Sequence, residues 1–154
     1  MTEDEKRLAE LGIHLPKAPA PVGVYQPVVL LGDMAYLSGQ LPRDTEGKLK
    51  TGRLGSELTL EEGKAAARMA ALNVLSVIQS QIGLDRFERM VRLVGYVQCE
   101  PSFKDIHLVL NGASELFGEV FGVRGRHARS AVGMASLPLD VCVELEATVK
   151  LKGC

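Results

Sequence analysis

Three charged side chains near the C-terminal end of the chain could do chemistry together: Arg129, Glu144 and Glu146. A planar guanidinium makes two parallel hydrogen bonds to a carboxylate, and a nearby carboxylate can orient water and accept its proton. They lie within Gly125 to Lys152, which reads as two strands joined by a turn. Val141, Val143, Leu145, Ala147, Val149 and Leu151 alternate with Cys142, Glu144, Glu146, Thr148 and Lys150. Such period-two alternation marks a strand with one face on a core. Upstream, Ser130, Val132 and Met134 alternate with Arg129, Ala131 and Gly133, and Ser136 to Asp140 supplies turn residues around Pro138. Folded as a hairpin, the expected pairs are Met134 with Val141, Val132 with Val143, Ala131 with Glu144 and Arg129 with Glu146. That register puts Arg129, Glu144 and Glu146 on the face opposite the valines, with Arg129 uncrowded between Ala128 and Ser130. The trio is then either a cross-strand ion pair, worth roughly a few tenths of a kcal/mol, or the floor of a site.

The elements that must hold these residues follow from the rest of the chain. Thr2 to Gly12 suits a short helix with acids early and basic residues late. Leu15 to Pro21 is a proline-rich connector, so residues 1–18 read as an appendage to one domain spanning 19–154. Val24 to Leu31 and Met34 to Gln40 are expected strands around a Gly32-Asp33 turn, the first at an edge because of Pro27. Pro42 to Leu58 is polar and glycine-rich, a loop with room for one short strand. Thr59 to Ile82 is a helix: Thr59 and Glu62 form a capping box, Ala67, Ala71, Val74 and Ile78 recur at helical spacing, and Gly83 stops it. Met90 to Cys99 is a strand buried on most sides. A further helix is expected from Pro101, capped by Ser102, with Ile106, Leu110, Ala113, Phe117 and Val120 inward and Gly122 at its end. Two helices cannot cover both faces of a five- or six-stranded sheet, so they share one face in an α+β arrangement. The other face meets water or another subunit.

Composition narrows the partners. A net charge of −1 in 154 residues gives no long-range attraction to nucleic acid or acidic membranes. The local exception is Arg124, Arg126, His127 and Arg129, which reads as a solvated loop or an anion site. Cys99, Cys142 and Cys154 are odd in number and lack a CxxC pair, which argues against a disulfide framework and for a reducing, cytoplasmic compartment. His14, His107 and His127 are scattered, so no metal site is expected. No apolar run reaches membrane length.

The segments Gly23-Val24-Tyr25, Tyr36-Leu37-Ser38-Gly39-Gln40-Leu41-Pro42, Ala128-Arg129-Ser130-Ala131-Val132, Leu137-Pro138 and Val143-Glu144-Leu145-Glu146-Ala147 together resemble the Rid (YjgF-type) family, also labelled "endoribonuclease L-PSP". The resemblance covers roughly Ala20 to Lys152. It implies a chorismate-mutase-like α+β fold, a mixed sheet with two helices packed on one face, assembled as a homotrimer with ligand clefts between subunits. It implies hydrolysis of reactive enamines and imines to 2-keto acids and ammonia, without a cofactor. By the resemblance, Arg129 grips the substrate carboxylate and Glu144 holds the attacking water. Tyr25, Ser38, Gly39 and Asn111 line the pocket, and so does Ala131, where many deaminating members carry cysteine. That departure, with the N-terminal helix and the long 44–58 segment, marks a divergent subgroup. The alternative is a non-catalytic binder of small 2-keto acids. RNA cleavage ranks last, because the chain lacks an extended basic stripe or an aromatic platform.

Overall fold

A computed structural model describes residues 1–21 and 23–153; Cys154 lies outside the described residues. The elements are α1 (Glu3–Glu10), β1 (Val28–Leu31), β2 (Met34–Gln40), α2 (Leu60–Gln81), β3 (Phe87–Gln98), α3 (Ile106–Phe121), β4 (Ala128–Met134) and β5 (Val143–Leu151), with short 3-10 turns at Gly122–Gly125 and Pro138–Asp140. The five strands form one mixed sheet in the order β1-β2-β5-β3-β4, parallel only between β3 and β4. Helices α2 and α3 pack together on one face, as the α+β reading requires.

The capping box at Thr59 and Glu62 is present in both directions and starts α2. Ala66, Ala67, Ala70 and Ala71 are all buried, so this helix lies close to the sheet. It also lies close to α3: a Cβ on Gly112 would come 2.0 Å from the Lys64 carbonyl oxygen. The second long helix begins later than expected. Pro101-Ser102 forms a turn, and the cap position belongs to Asp105, whose side chain makes no capping bond. The 42–58 loop contributes isolated bridges rather than a strand, and only residues 28–31 of the expected first strand pair. Helix α1 is tied down by an Asp4–Arg124 ion pair and by Leu8, which is buried in the core.

The terminal hairpin is not formed. β3 lies between β4 and β5, so Leu93 pairs with Arg129 on one side and with Ala147 on the other. The expected Ala131–Glu144 and Arg129–Glu146 pairs are absent. The reason lies in the connection from Ala135 to Cys142, which passes over the end of β3 instead of turning back. Gln98, 2% exposed, holds it there. Its Oε1 accepts from the Leu137 N–H (2.8 Å), and its Nε2 donates to Asp140 Oδ1 (2.8 Å) and to the Gly52 carbonyl (3.0 Å). Asp140, expected as a turn residue, thus ties the connection to Gln98 through its side-chain oxygen. Leu139 and Asp140 take positive φ (59° and 61°) to make the bend. β3, α3 and β4 therefore form a βαβ unit, which a parallel pair requires.

The open face of the sheet carries Arg92, Tyr96, Val132, Tyr36, Glu144 and Glu146. Tyr36 and Val132 are exposed. No helix among the described residues is long and apolar enough to cross a membrane.

Candidate functional site

Arg129 sits on the edge strand β4 with its side chain on the helix-covered face, against α3. Nη1 donates to Asn111 Oδ1 (3.0 Å) and to Ser114 Oγ (3.0 Å), and Nη2 donates to the His107 carbonyl (3.1 Å). Three of its five N–H groups are thereby used, and Nε–H and one Nη2 proton keep no partner among the described residues. No carboxylate among the described residues pairs with it. Burial draws its pKa below the ordinary guanidinium value, and it stays a cation. A held, half-buried guanidinium with two spare donors and no internal acid is suited to an external carboxylate. Ala131, two residues on, lies on the same face beside Gly95 and packs against the hydrophobic core. Arg129 and Asn111 are thus brought together, with Ala131 further along the same face.

The other predicted residues form a second wall. Tyr25, Ser38, Gly39 and Glu144, with Leu41 and Pro138, line an open cavity of about 380 Å³. The ladder between β2 and β5 slips by one residue between Leu37 and Gln40, so Ser38-Gly39 form a bulge. Bulges re-aim side chains beside sites, and this one sets Gly39 under the Glu144 carboxyl. Ser38 Oγ donates to the Gln26 carbonyl (2.5 Å) and its N–H to the Pro27 carbonyl (2.9 Å), which fixes the segment that carries Tyr25. Burial pushes the Glu144 pKa above its ordinary value, and the neighbouring charge of Glu146 adds to this. Glu146 itself accepts a hydrogen bond from the Tyr96 hydroxyl.

The two walls lie on opposite faces of the sheet. Arg129 and Glu144, expected on one face of adjacent strands, are separated by β3 and by the thickness of the sheet. Within one chain neither wall holds both an anchor for a carboxylate and a base.

The basic knot divides by role. Arg124 pairs with Asp4 and stacks 5.7 Å from the centres of the Phe87 and Phe121 rings, so it is structural. Arg126 lends its carbonyl to Arg89 Nη2 (2.8 Å). His127 turns inward against α3, and Ser114 joins it to Arg129. Ser114 escaped notice in the sequence, although its i+3 spacing from Asn111 on a helix was the available signal. Cys142 is buried, with its thiol pushed up to about 11 chiefly by burial, and supplies no reactive substitute for the cysteine absent at 131.

Two results are expected here. A Cβ on Gly39 would lie 2.1 Å from Glu144 Oε1, so Gly39→Ala must displace that carboxylate. The variant should keep a melting temperature within about 4 °C of wild type, because only a half-buried side-chain tip has to move. It should lose most of any activity that needs Glu144; an unchanged rate would show that the carboxylate position does not matter. The second result concerns His127. Burial, the largest influence, and the Arg129 charge lower its pKa below 6.5, against an opposing bond to Gly125. The unfolded chain therefore binds a proton that the fold rejects, and stability falls as pH drops below about 6.5. Urea midpoints at pH 7.5 and 5.5 should differ more for wild type than for His127→Gln, and equal differences would remove His127 from the acid response.

An α+β sheet open on one face, with a braced guanidinium on its edge strand and a cleft lined by Glu144 on its open face, defines the class. Residues 5–148 match the family described as "YjgF/chorismate_mutase-like, putative endoribonuclease". The chain belongs to this family. It is 49% identical over 146 residues to Protein TCP17 of Trypanosoma cruzi, covering 94% of this chain and 91% of that protein. It is 31% identical over 130 residues to a 2-iminobutanoate/2-iminopropanoate deaminase of Salmonella typhimurium, covering 84% and 89%. The crystal structure of Atu1372 from Agrobacterium tumefaciens superposes with a TM-score of 0.89 at 41% identity, covering 97% of this chain and 93% of that one.

Proposed function

We propose that the protein hydrolyses small 2-imino acids to 2-keto acids and ammonia in clefts between copies of itself, assembled as a homotrimer. The observation that carries this reading is the internal bracing of Arg129, which leaves two N–H donors and, among the described residues, no acid to satisfy them. Two relatives named as iminobutanoate/iminopropanoate deaminases support the reaction class. The division of the site into two walls supports the cleft between copies: the β4 edge of one copy, with Arg129, meets the Tyr25, Ser38, Gly39 and Glu144 wall of the next.

In that cleft Arg129 grips the substrate carboxylate and holds the adjacent C=N carbon opposite Glu144. Glu144 orients a water and takes one of its protons as the oxygen bonds to that carbon. Glu144 returns that proton to the nitrogen of the tetrahedral adduct and then carries the adduct's hydroxyl proton to the same nitrogen. The C=O bond forms as the C–N bond breaks with its electron pair on nitrogen, and ammonia and the keto acid leave with the carboxylate restored. The raised pKa of Glu144 makes it a stronger base than an ordinary carboxylate and so suits it to taking the proton from water.

The test generates a 2-imino acid from an amino acid with a dehydratase, and follows decay of the imine with and without purified protein. Faster decay, with a sedimentation mass of three chains, is expected; an unchanged decay rate would sink the hydrolase reading. One observation favours a second reading, a 2-keto acid binder without turnover: Ala131 stands where many deaminating members carry cysteine. Thermal stabilisation by 2-oxobutanoate without accelerated imine decay would select it.

A further inference from the structure

Arg129 is braced by α3, and one of those braces does not end at α3. Ser114 Oγ, which accepts from Arg129 Nη1 at 3.0 Å, lies 2.9 Å from His127 Nε2, and His127 Nδ1 lies 2.7 Å from the Gly125 carbonyl. The proton positions follow from the partners. A carbonyl oxygen has no proton to give, so Nδ1 carries one. A neutral ring then offers only a lone pair at Nε2, and Ser114 must donate its hydroxyl proton there. The chain of donors runs one way: guanidinium to serine, serine to histidine, histidine to backbone. Its terminus is rigid, because Gly125 is buried and packed so closely that a Cβ would come 2.1 Å from the Phe117 carbonyl oxygen. The ring itself is held edge-on to Phe117, 5.8 Å between centres.

The contrast with the other helical serines is informative. Ser80 lies 3.4 Å from the Val77 carbonyl of its own helix, the ordinary habit of a helical serine, and Ser76 reaches the Leu72 carbonyl (3.0 Å) as well as the Pro16 carbonyl (2.7 Å) outside its helix. Ser114 instead points off α3 to His127, so its lone pairs face Arg129. Without the histidine it is free to turn back to its own helix at the Leu110 carbonyl. The guanidinium would then lose a directed acceptor.

We propose that His127, acting through the Ser114 hydroxyl, is a positioning residue that fixes Arg129 in the pose that grips a carboxylate. The assignment rests on the reading of Arg129 as the substrate anchor. It gives His127 no contact with the substrate and no share in the chemical step. Its effect therefore falls on KM and on keto acid affinity rather than on kcat.

The test pairs a measurement that needs no ligand with one that does. In 15N NMR spectra of the full-length protein, His127 should show the Nδ1–H tautomer, and the Arg129 Nη protons should be resolved by slowed rotation. His127→Phe keeps the ring and removes both bonds; Ser114→Ala removes the bridging oxygen from the other element. Both should merge the Arg129 lines and weaken 2-oxobutanoate binding, read by calorimetry, by about tenfold, the scale of one lost hydrogen bond to a charged group. His127→Gln offers an amide oxygen to the Ser114 proton and should restore both readouts. Arg129 lines unchanged in both His127→Phe and Ser114→Ala overturn the proposal, as does a glutamine variant no better than phenylalanine. If wild type and Arg129→Ala are equally indifferent to 2-oxobutanoate while the NMR effects appear, the anchor reading falls and the relay stands. If 2-oxobutanoate binds through Arg129 but both relay variants bind as wild type, the relay falls and the anchor reading stands.

Discussion

Arg129→Ala should lower kcat/KM for a 2-imino acid by about 10²–10³-fold, the scale of truncating one partner of a desolvated, hydrogen-bonded charge pair. The loss falls on carboxylate recognition, so 2-oxobutanoate should cease to stabilise the variant against heat. Arg129→Lys should recover less than about tenfold of this. An ammonium is a single point charge on a flexible stem, and it cannot bond Asn111, Ser114 and the His107 carbonyl while offering two parallel donors outward. Steady-state kinetics on the three proteins, with melting curves to confirm folding, decide the matter. A lysine variant equal to wild type would mean that bulk charge rather than a braced fork is recognised.

Glu144→Gln should act in the opposite way. The amide keeps the shape beside Gly39 but can neither take a proton from water nor return it. The turnover number should fall by about 10²–10⁴-fold, the range of general acid–base catalysis, with keto acid affinity little changed. The wild-type rate should decline as pH falls through the Glu144 pKa, which burial and Glu146 raise above the ordinary value of 4.5. The working form is the carboxylate, so protonation stops it, and that acidic limb should vanish from the residual rate of the glutamine variant. Glu146→Gln is the control: it removes the partner of the Tyr96 hydroxyl and a neighbouring negative charge, which moves the acidic limb downward and leaves the plateau rate near wild type. A plateau that falls as far for Glu146→Gln as for Glu144→Gln would reassign the base.

Much of this fold was legible before any coordinates. The capping box of α2 and its alanine face are local chemistry, and both stand as read. The alternation along β5 also stands, with its apolar positions on the core and its glutamates outside. What alternation does not encode is the neighbour. It assigns faces to a strand but says nothing about which strand lies beside it. The eight residues from Ala135 to Cys142 are long enough for a turn and long enough to step over one strand, since strands lie about 4.8 Å apart. The choice was made by Gln98, a buried polar side chain whose satisfaction needs Leu137 and Asp140 together; read as one letter in an apolar strand, it gave no warning. That single error put Arg129 on the wrong face. The grouping of Arg129 with Asn111 came from motif resemblance, and the geometry brings them together. Ser114 and His127 were legible only as types, because their meeting depends on how α3 lies across β4.

The strand order has a consequence for the birth of the molecule. β5 is the last strand in sequence yet occupies the middle of the sheet, between β2 and β3. On a ribosome, the β1-β2 ribbon and the β3-α3-β4 unit emerge early and have no ladder to one another until β5 arrives. The sheet therefore closes by insertion of its centre, joining pieces far apart along the chain, and such long-range closure is slow. Until then both flanking strands expose open hydrogen-bonding edges, and the nascent chain is at its most vulnerable to wrong pairing just before β5 emerges.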